Sequence, residues 1–492
     1  MTLSSIDTEE KRGEKMSGNR LSPRFSVCGA SQDPLEIWNR VREILNPNGL
    51  VGDSKFRDAF FGDSMIDENA GDIPYLDKLN CEQSVHASAC CLVHHCQRCI
   101  SHHANRLLGD VPTVADLFSG AGGLTLGFEQ AGFKSEFALD NYDWAIESYR
   151  YNRPWADNHA LCLDLGEWLK DPTTVSPVDV LAGGPPCQSF STANRQRKKE
   201  DERDYLYKLF IESIPSFKPK IVVIENVRGF EKVLPDLCDQ IESLGYKTKI
   251  RKINAREFGI PQNRARIFTL AASVDNFGSE EKADLALDRI ISRIIEQKKH
   301  FSSTNLIDAI GDLPALSASR IKNKTSHESD ENGWSVMAHP NKSNQVNKWI
   351  ERINSSPGPP ILIYNHKARY NNDRDIEIFG KLEPGEDSTA KSIEGIMPYS
   401  SRNHIFKDKY FKLKPDLPCK TITAHMGFDC NMYIHPNQAR GLTVREAARV
   451  QGFPDNYVFC GTLHAMYKQV GNAVPPPLAK VLASAIYPEV SK

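Results

Sequence analysis

The sequence predicts an α/β fold built on a mostly parallel, doubly wound sheet, and three observations predict it. Short apolar runs recur at residues 114–118, 137–140, 160–164, 178–182, 220–224 and 267–271. Helix-like stretches, such as 124–131 and the run up to Tyr149, lie between them. Strands that alternate with helices imply a parallel sheet covered on both faces. The third observation is the set of residues at the strand ends: a glycine-rich turn at 120–123, then Asp140, Asp164, Cys187 and Glu225, each at or just past such an end. Ligands of such sheets bind beyond the carboxyl ends of the strands, so these residues are expected to share one site.

The first strand feeds the turn Ser119-Gly120-Ala121-Gly122-Gly123. Gly120-x-Gly122-x-x-Thr125 lacks the third glycine of a dinucleotide fingerprint, which disfavours a nicotinamide cofactor and an oxidoreductase. A tight turn against a cofactor without a pyrophosphate remains open. Asp140 is placed to accept hydrogen bonds from ribose hydroxyls, and Asp164 from an exocyclic amine.

The fourth strand runs into Gly183-Gly184-Pro185-Pro186-Cys187-Gln188-Ser189-Phe190-Ser191. The prolines fix φ and hold the residue before each of them extended. A stiff polar loop is a poor place to bury a cysteine and a good place to present a nucleophile. The basic run Arg195-Gln196-Arg197-Lys198-Lys199, with Arg203 after it, lies close enough to that thiol to contact phosphates.

Glu225 ends the fifth strand after apolar neighbours, where burial favours a protonated carboxyl able to donate to a ring nitrogen; a salt-bridged strand-end glutamate is the alternative. Arg264 and Arg266 alternate beside the next strand and so point to opposite faces, one toward the site and the other into packing.

Composition sets broader bounds. The chain has 492 residues, 40% hydrophobic and 25% charged, with a net charge of -2. That fits a soluble globular protein of roughly two to four domains. No run approaches the ~20 apolar residues of a membrane span, and residues 1–30 lack the apolar core of a signal peptide. An intracellular protein is expected, with its twelve cysteines as thiols or metal ligands rather than disulfides. Near-neutral charge does not exclude nucleic acid, which needs only a local basic surface.

The leading 112 residues hold a helix-like stretch at 35–45 and a cluster rich in cysteine and histidine. Cys96-x-x-Cys99 with His102 or His103 has metal-ligand spacing, but one such pair does not make a zinc site, and no metal is expected. Residues 274–418 read as polar, irregular and turn-rich, hence a separate domain or insertion. A helix over 443–450 begins with Thr443 as N-cap and Glu446 three residues on. The last helix comes after Gly471-Asn472-Ala473-Val474.

Taken together these stretches resemble the DNA cytosine-5 methyltransferases, over residues 113–273 and 402–480 and in that family's motif order. Asp116-Leu117-Phe118-Ser119-Gly120-Ala121-Gly122-Gly123 looks like its S-adenosylmethionine loop, and Pro185-Pro186-Cys187-Gln188 its catalytic-cysteine motif. Glu225-Asn226-Val227 and Gln262-x-Arg264-x-Arg266 are similar to two further catalytic motifs. Residues 440–454 resemble the helix that supports target recognition, and Gly471-Asn472-Ala473-Val474 the final motif, which returns to the cofactor. Asp140, where the family often has glutamate, and Leu165, where isoleucine is common, are minor departures.

The resemblance implies a Rossmann-like S-adenosylmethionine-dependent methyltransferase fold. It implies Cys187, Glu225, Arg266 and Arg264 as catalytic. Phe118, Gly120, Gly122, Gly123, Asp140, Asn141, Asp164, Pro186, Asn472 and Val474 would hold the cofactor, and Ser191, Arg195 and Arg203 the DNA. The expected domains are an N-terminal extension at 1–112, a catalytic domain at 113–273 completed by 462–492, and a target-recognition domain with hinge at 274–461. Donors such as Arg369, Asn371, Asn372, Arg374, Arg402 and Asn403 are available there for bases, phosphates or solvent.

The implied activity is methyl transfer to C5 of cytosine in a specific double-stranded sequence, through a covalent bond to C6 and an extruded base. The layout suggests a bacterial cytoplasmic monomer, associated with the nucleoid through DNA and paired with a restriction endonuclease. The alternatives are a tRNA cytosine-5 methyltransferase and a catalytically silent DNA-binding relative.

Overall fold

The computed structural model describes residues 111–153, 159–172, 175–186, 205–320, 336–338, 347–354, 362–398 and 409–491. Cys187, Ser191, Arg195, Arg203, Arg402 and Asn403 lie outside them, as do the helix-like stretch at 35–45 and the cluster that includes Cys96, Cys99, His102 and His103.

In chain order the core runs β1 (Thr113–Leu117), α1 (Gly123–Gln130), β2 (Lys134–Asp140), α2 (Asp143–Tyr151), β3 (Ala160–Cys162), α3 (Leu165–Lys170) and β4 (Val180–Gly183). It continues through α4 (Leu206–Phe217), β5 (Ile221–Asn226), α5 (Leu234–Ser243), β6 (Tyr246–Asn254), β7 (Gln262–Asn263) and β8 (Ala265–Ser273). The main sheet has the strand order β3-β2-β1-β4-β5-β8-β6. From β3 to β5 every pairing is parallel. β8 then runs antiparallel between β5 and β6. The connection from β6 to β8 is too short for a parallel crossover, so the two fold back as a hairpin.

Alternation along the strands builds two cores. Val114, Val180, Ala182, Ile221, Val223, Phe268, Leu270 and Ala272 face one layer. Ala115, Leu117, Leu181, Val222, Ile224, Ile267 and Ala271 face the other. The second layer is covered by α3, α4 and α5 through Trp168, Phe210, Ile214, Phe217, Leu237 and Ile241. The first is covered by α1, by α6 (Glu280–Gln297) and by α12 (Pro476–Val490). The doubly wound arrangement expected from the sequence is thus present, with a reversed strand inserted at one side.

α6 lies within the stretch expected to be irregular. It is capped by the Ser279 side chain and buries Ala283, Ala286, Leu287, Ile290 and Ile294. It packs against β6, β8 and α12, so the sheet's own layer extends past residue 273.

Further helices are α7 (Leu306–Ile310), α8 (Lys348–Ile353), α9 (Asp373–Lys381), α10 (Val444–Gln451) and α11 (Leu463–Asn472). Two short ladders accompany them: β9 (Val336–Ala338) with β10 (Leu362–Tyr364), and β11 (Cys419–Lys420) with β7. α9 belongs to a small separate core of Ile378, Phe379, Leu382, Ile393, Tyr410 and Ile434. Among the described residues no helix is long and apolar enough to cross a membrane.

Candidate active site

In the strand order, β1 has β2 on one side and β4 on the other. That is the point where the direction of winding reverses and a crevice opens beyond the strand ends. Both turns singled out in the sequence leave from it, the glycine turn from β1 and the double-proline turn from β4.

The glycine turn is tightly coiled. Phe118, Gly120 and Gly122 all have positive φ, at 59°, 54° and 82°. For Phe118 this is an uncommon conformation, held by its surroundings. The Gly120 amide donates to Asp140 Oδ2 at 2.9 Å, and the Tyr142 amide to Asp140 Oδ1 at 2.8 Å. Burial raises the Asp140 pKa, and those two amides oppose the rise. A Cβ on Gly120 would meet no atom within 4 Å, so this turn borders open space. Beside it, buried Ser119 Oγ has no hydrogen-bond partner among the described residues. An orphaned buried hydroxyl next to an open glycine turn fits a polar ligand.

Beneath the turn lies a buried network that sequence reasoning missed. Arg153, 1% exposed, donates to both Glu129 carboxylate oxygens, to the Gly122 carbonyl and to the Tyr457 hydroxyl. The Tyr457 hydroxyl in turn donates to the Ala121 carbonyl. Asp116, also buried, accepts from Thr125 Oγ1 at 2.6 Å. Burial pushes its carboxyl up to about 7, against the pull of that hydroxyl and of Arg153. The C-terminal segment closes the same turn: a Cβ on Gly123 would come within 2.5 Å of the Val474 carbonyl oxygen. Val474 is buried, while Asn472 and Asn141 are exposed.

At the end of β5, Glu225 Oε1 pairs with Arg266 Nε at 2.8 Å, and both side chains keep a little exposure, 12% and 13%. β8 lies antiparallel to β5, which sets the start of one against the end of the other. Gly184 lies against the pair, because a Cβ there would sit 3.2 Å from Glu225 Oε2. Asn226 Nδ2 donates to the Pro185 carbonyl at 3.4 Å, tying the double-proline turn to β5. Pro186 is half-buried at the last described position before Cys187.

Arg264, expected among the catalytic residues, lies within electrostatic reach of both members of this ion pair. It is 2% exposed and donates to the carbonyls of Ile422, Gly471 and Ala473. Burial pulls its pKa well down. The alternation read from the sequence is present: Arg266 meets Glu225 and Arg264 packs. Arg264 therefore joins β8 to the segment before α12. Asp164 has one oxygen engaged as the N-cap of α3, accepting from the Gly166 amide at 2.8 Å.

α10 carries the capping box read from the sequence, between Thr443 and Glu446. Arg440 makes a two-pronged pair with Glu446 at 2.8 and 2.7 Å. Arg449 makes another with Asp455 at 2.6 and 2.8 Å. Arg445 donates to the carbonyls of Tyr364, Pro454 and Tyr457. These arginines are all buried, so α10 acts through packing rather than direct contact with solvent.

Three of the donors read in the later stretch are engaged. Arg369 holds the Met426 and Phe428 carbonyls, Asn372 caps α9, and Arg374 stands 4.0 Å from Asp375. Asn371 Oδ1 is buried without a partner among the described residues. Also among the described residues, no group of three or more His, Cys, Asp or Glu side chains could hold a metal ion.

Known proteins point the same way. A family model described as C-5 cytosine-specific DNA methylase matches residues 113–488. The type II methyltransferase M.DdeI of Desulfomicrobium norvegicum is 32% identical over 401 residues, which span 76% of this chain and 88% of that one. M.AgeI of Thalassovita gelatinovora is 30% identical over 435 residues, with 76% and 99% covered. Among solved structures, a prophage-encoded E. coli protein described as a DNA modification methyltransferase superposes with a TM-score of 0.56 at 23% identity. That match covers 77% of this chain and all of the other, and it bears on the fold alone. With a family model spanning the whole sheet and both turns of the crevice, the chain belongs to the C-5 cytosine-specific DNA methylases.

Proposed function

We propose that this DNA methylase transfers the methyl group of S-adenosylmethionine to C5 of cytosine within a specific duplex sequence, through a covalent bond between Cys187 and C6. The observation that carries the reading is the Glu225–Arg266 ion pair, packed against Gly184 at the same strand ends as the glycine turn. Phe118, Gly120, Gly122, Gly123, Asp140, Asn141, Asp164, Pro186, Asn472 and Val474 would hold the cofactor, with Ser119 Oγ as a further polar contact. S-adenosylmethionine, when bound, supplies an electrophilic methyl group.

The Cys187 thiolate adds to C6, with its pKa lowered from the usual ~8.5 or its proton removed by a base. Glu225 engages N3 and the exocyclic amine, and Arg266 engages O2, so that negative charge is drawn into the ring. C5 becomes nucleophilic and takes the methyl group. Loss of the C5 proton, followed by departure of the sulfur from C6, restores the ring and the thiolate. The base must leave the duplex first, at a cost of about a few kcal/mol.

Ser191, Arg195 and Arg203 would contact the DNA next to the extruded base. Residues 113–273, extended by α6 and completed by the C-terminal segment, would form the catalytic domain, the later stretch to 461 the target-recognition domain and hinge, and residues 1–112 an extension. The type II relatives support pairing with a restriction endonuclease in a bacterial cytoplasm, where the chain would act as a monomer. Bisulfite sequencing of DNA from cells expressing the chain tests this. Protected cytosines at one recurrent sequence are expected, and complete conversion throughout would overturn it.

A further inference from the structure

Among the described residues, Phe428 is the large apolar side chain most open to solvent: it is 70% exposed, and the next are 47%. Its backbone is nevertheless held. The Phe428 amide donates to the His425 carbonyl at 2.9 Å, and Arg369 donates to the carbonyls of Phe428 at 3.0 Å and Met426 at 2.9 Å. The ring stands edge-on to His464 at 4.9 Å between centroids, with His425 at 5.6 Å. An exposed aromatic ring on a held backbone offers a stacking surface.

Its place in the fold says what it faces. The turn Ala424–Gly427 that precedes it comes after β11, which pairs with β7 just ahead of Arg266. The Thr421 hydroxyl donates to the Asn263 carbonyl at 2.5 Å, and the Ile422 carbonyl accepts from Arg264. Thr423 and Ala424 run against Gly471, next to Asn472 at the end of α11. The turn at 424–427 therefore starts beside the strand that leads to Arg266 and runs back along α11 to His464, near the start of that helix, where Phe428 stands. An exposed aromatic ring matches a nucleic-acid strand, whose bases stack on aromatic side chains.

We propose that Phe428 stacks on a base of the duplex next to the cytosine being methylated, holding the opened stack while that cytosine is out. This rests on duplex DNA being the substrate. Base–aromatic stacking tolerates every base, so the residue governs affinity and base extrusion rather than target choice.

The test uses the full chain and a fluorescein-labelled duplex carrying the sequence found by bisulfite sequencing. Phe428→Ala is expected to weaken duplex binding about ten-fold or more. The Michaelis constant for S-adenosylmethionine and the melting temperature stay as in the wild type, and Phe428→Trp restores binding. An Ala variant that binds the duplex within two-fold of wild type overturns the inference and leaves the proposed function standing. A wild-type chain that does not bind the duplex overturns both.

Discussion

At the scale of single residues, the site divides into groups that face the crevice and groups that hold those groups. Cys187→Ala is expected to abolish methyl transfer while S-adenosylmethionine still binds; turnover above ~1% of wild type, measured by tritium transfer, would contradict covalent catalysis by this thiol. Tyr457→Phe removes the hydroxyl that joins Arg153 to the Ala121 carbonyl. It should raise the Michaelis constant for S-adenosylmethionine by roughly two- to ten-fold and leave that for DNA in place. Equal changes in both constants would show that the network does not act through the glycine turn. Residue-level legibility was uneven for a physical reason. The spacing of Arg264 and Arg266 showed that they face opposite ways, and only the packing beyond the strand decided which one is buried. Arg153 left no local signal, because its partner Tyr457 is 304 positions away in the chain.

At the scale of elements, α10 is held by charge pairs out of contact with water. Burial alone would raise the Glu446 pKa, yet Arg440 and the neighbouring histidines hold it down at about 2. A carboxylate with a depressed folded-state pKa contributes stability above its unfolded value of about 4.3, and that contribution is lost as pH falls toward the folded value. Acid unfolding should therefore gain a contribution of roughly 3 kcal/mol between about pH 4.3 and pH 2. Glu446→Gln leaves Arg440 buried opposite a neutral group and should destabilise the chain by about 3–5 kcal/mol in urea unfolding at pH 7. A change below about 1 kcal/mol would mean that the pair does not hold the helix. Strands buried on both faces were legible because they read as short apolar runs. β6 was not, since Lys247, Lys249, Arg251 and Lys252 interrupt it at the sheet's edge. α6 carried a helical spacing of Ala283, Ala286, Leu287, Ile290 and Ile294 that its polar surroundings masked.

At the scale of the whole molecule, the C-terminal helices complete the catalytic layer. α12 packs on α1 so closely that a Cβ on Gly127 would enter the Ala479 methyl group and the nearby backbone. Removing the chain after residue 474 should therefore leave no soluble, cofactor-binding protein; full S-adenosylmethionine binding by such a truncation would contradict the packing. The sheet order sets the ends of β1 and β4, and so the starts of the two turns read from the sequence, side by side. The central claim, that Cys187 bonds to the cytosine, is tested most directly by incubating the protein with a duplex containing 5-fluorocytosine at the target position and S-adenosylmethionine. A denaturant-resistant protein–DNA complex that maps to the peptide containing Cys187 is predicted; no such complex, from a preparation that still methylates the unmodified duplex, would contradict it.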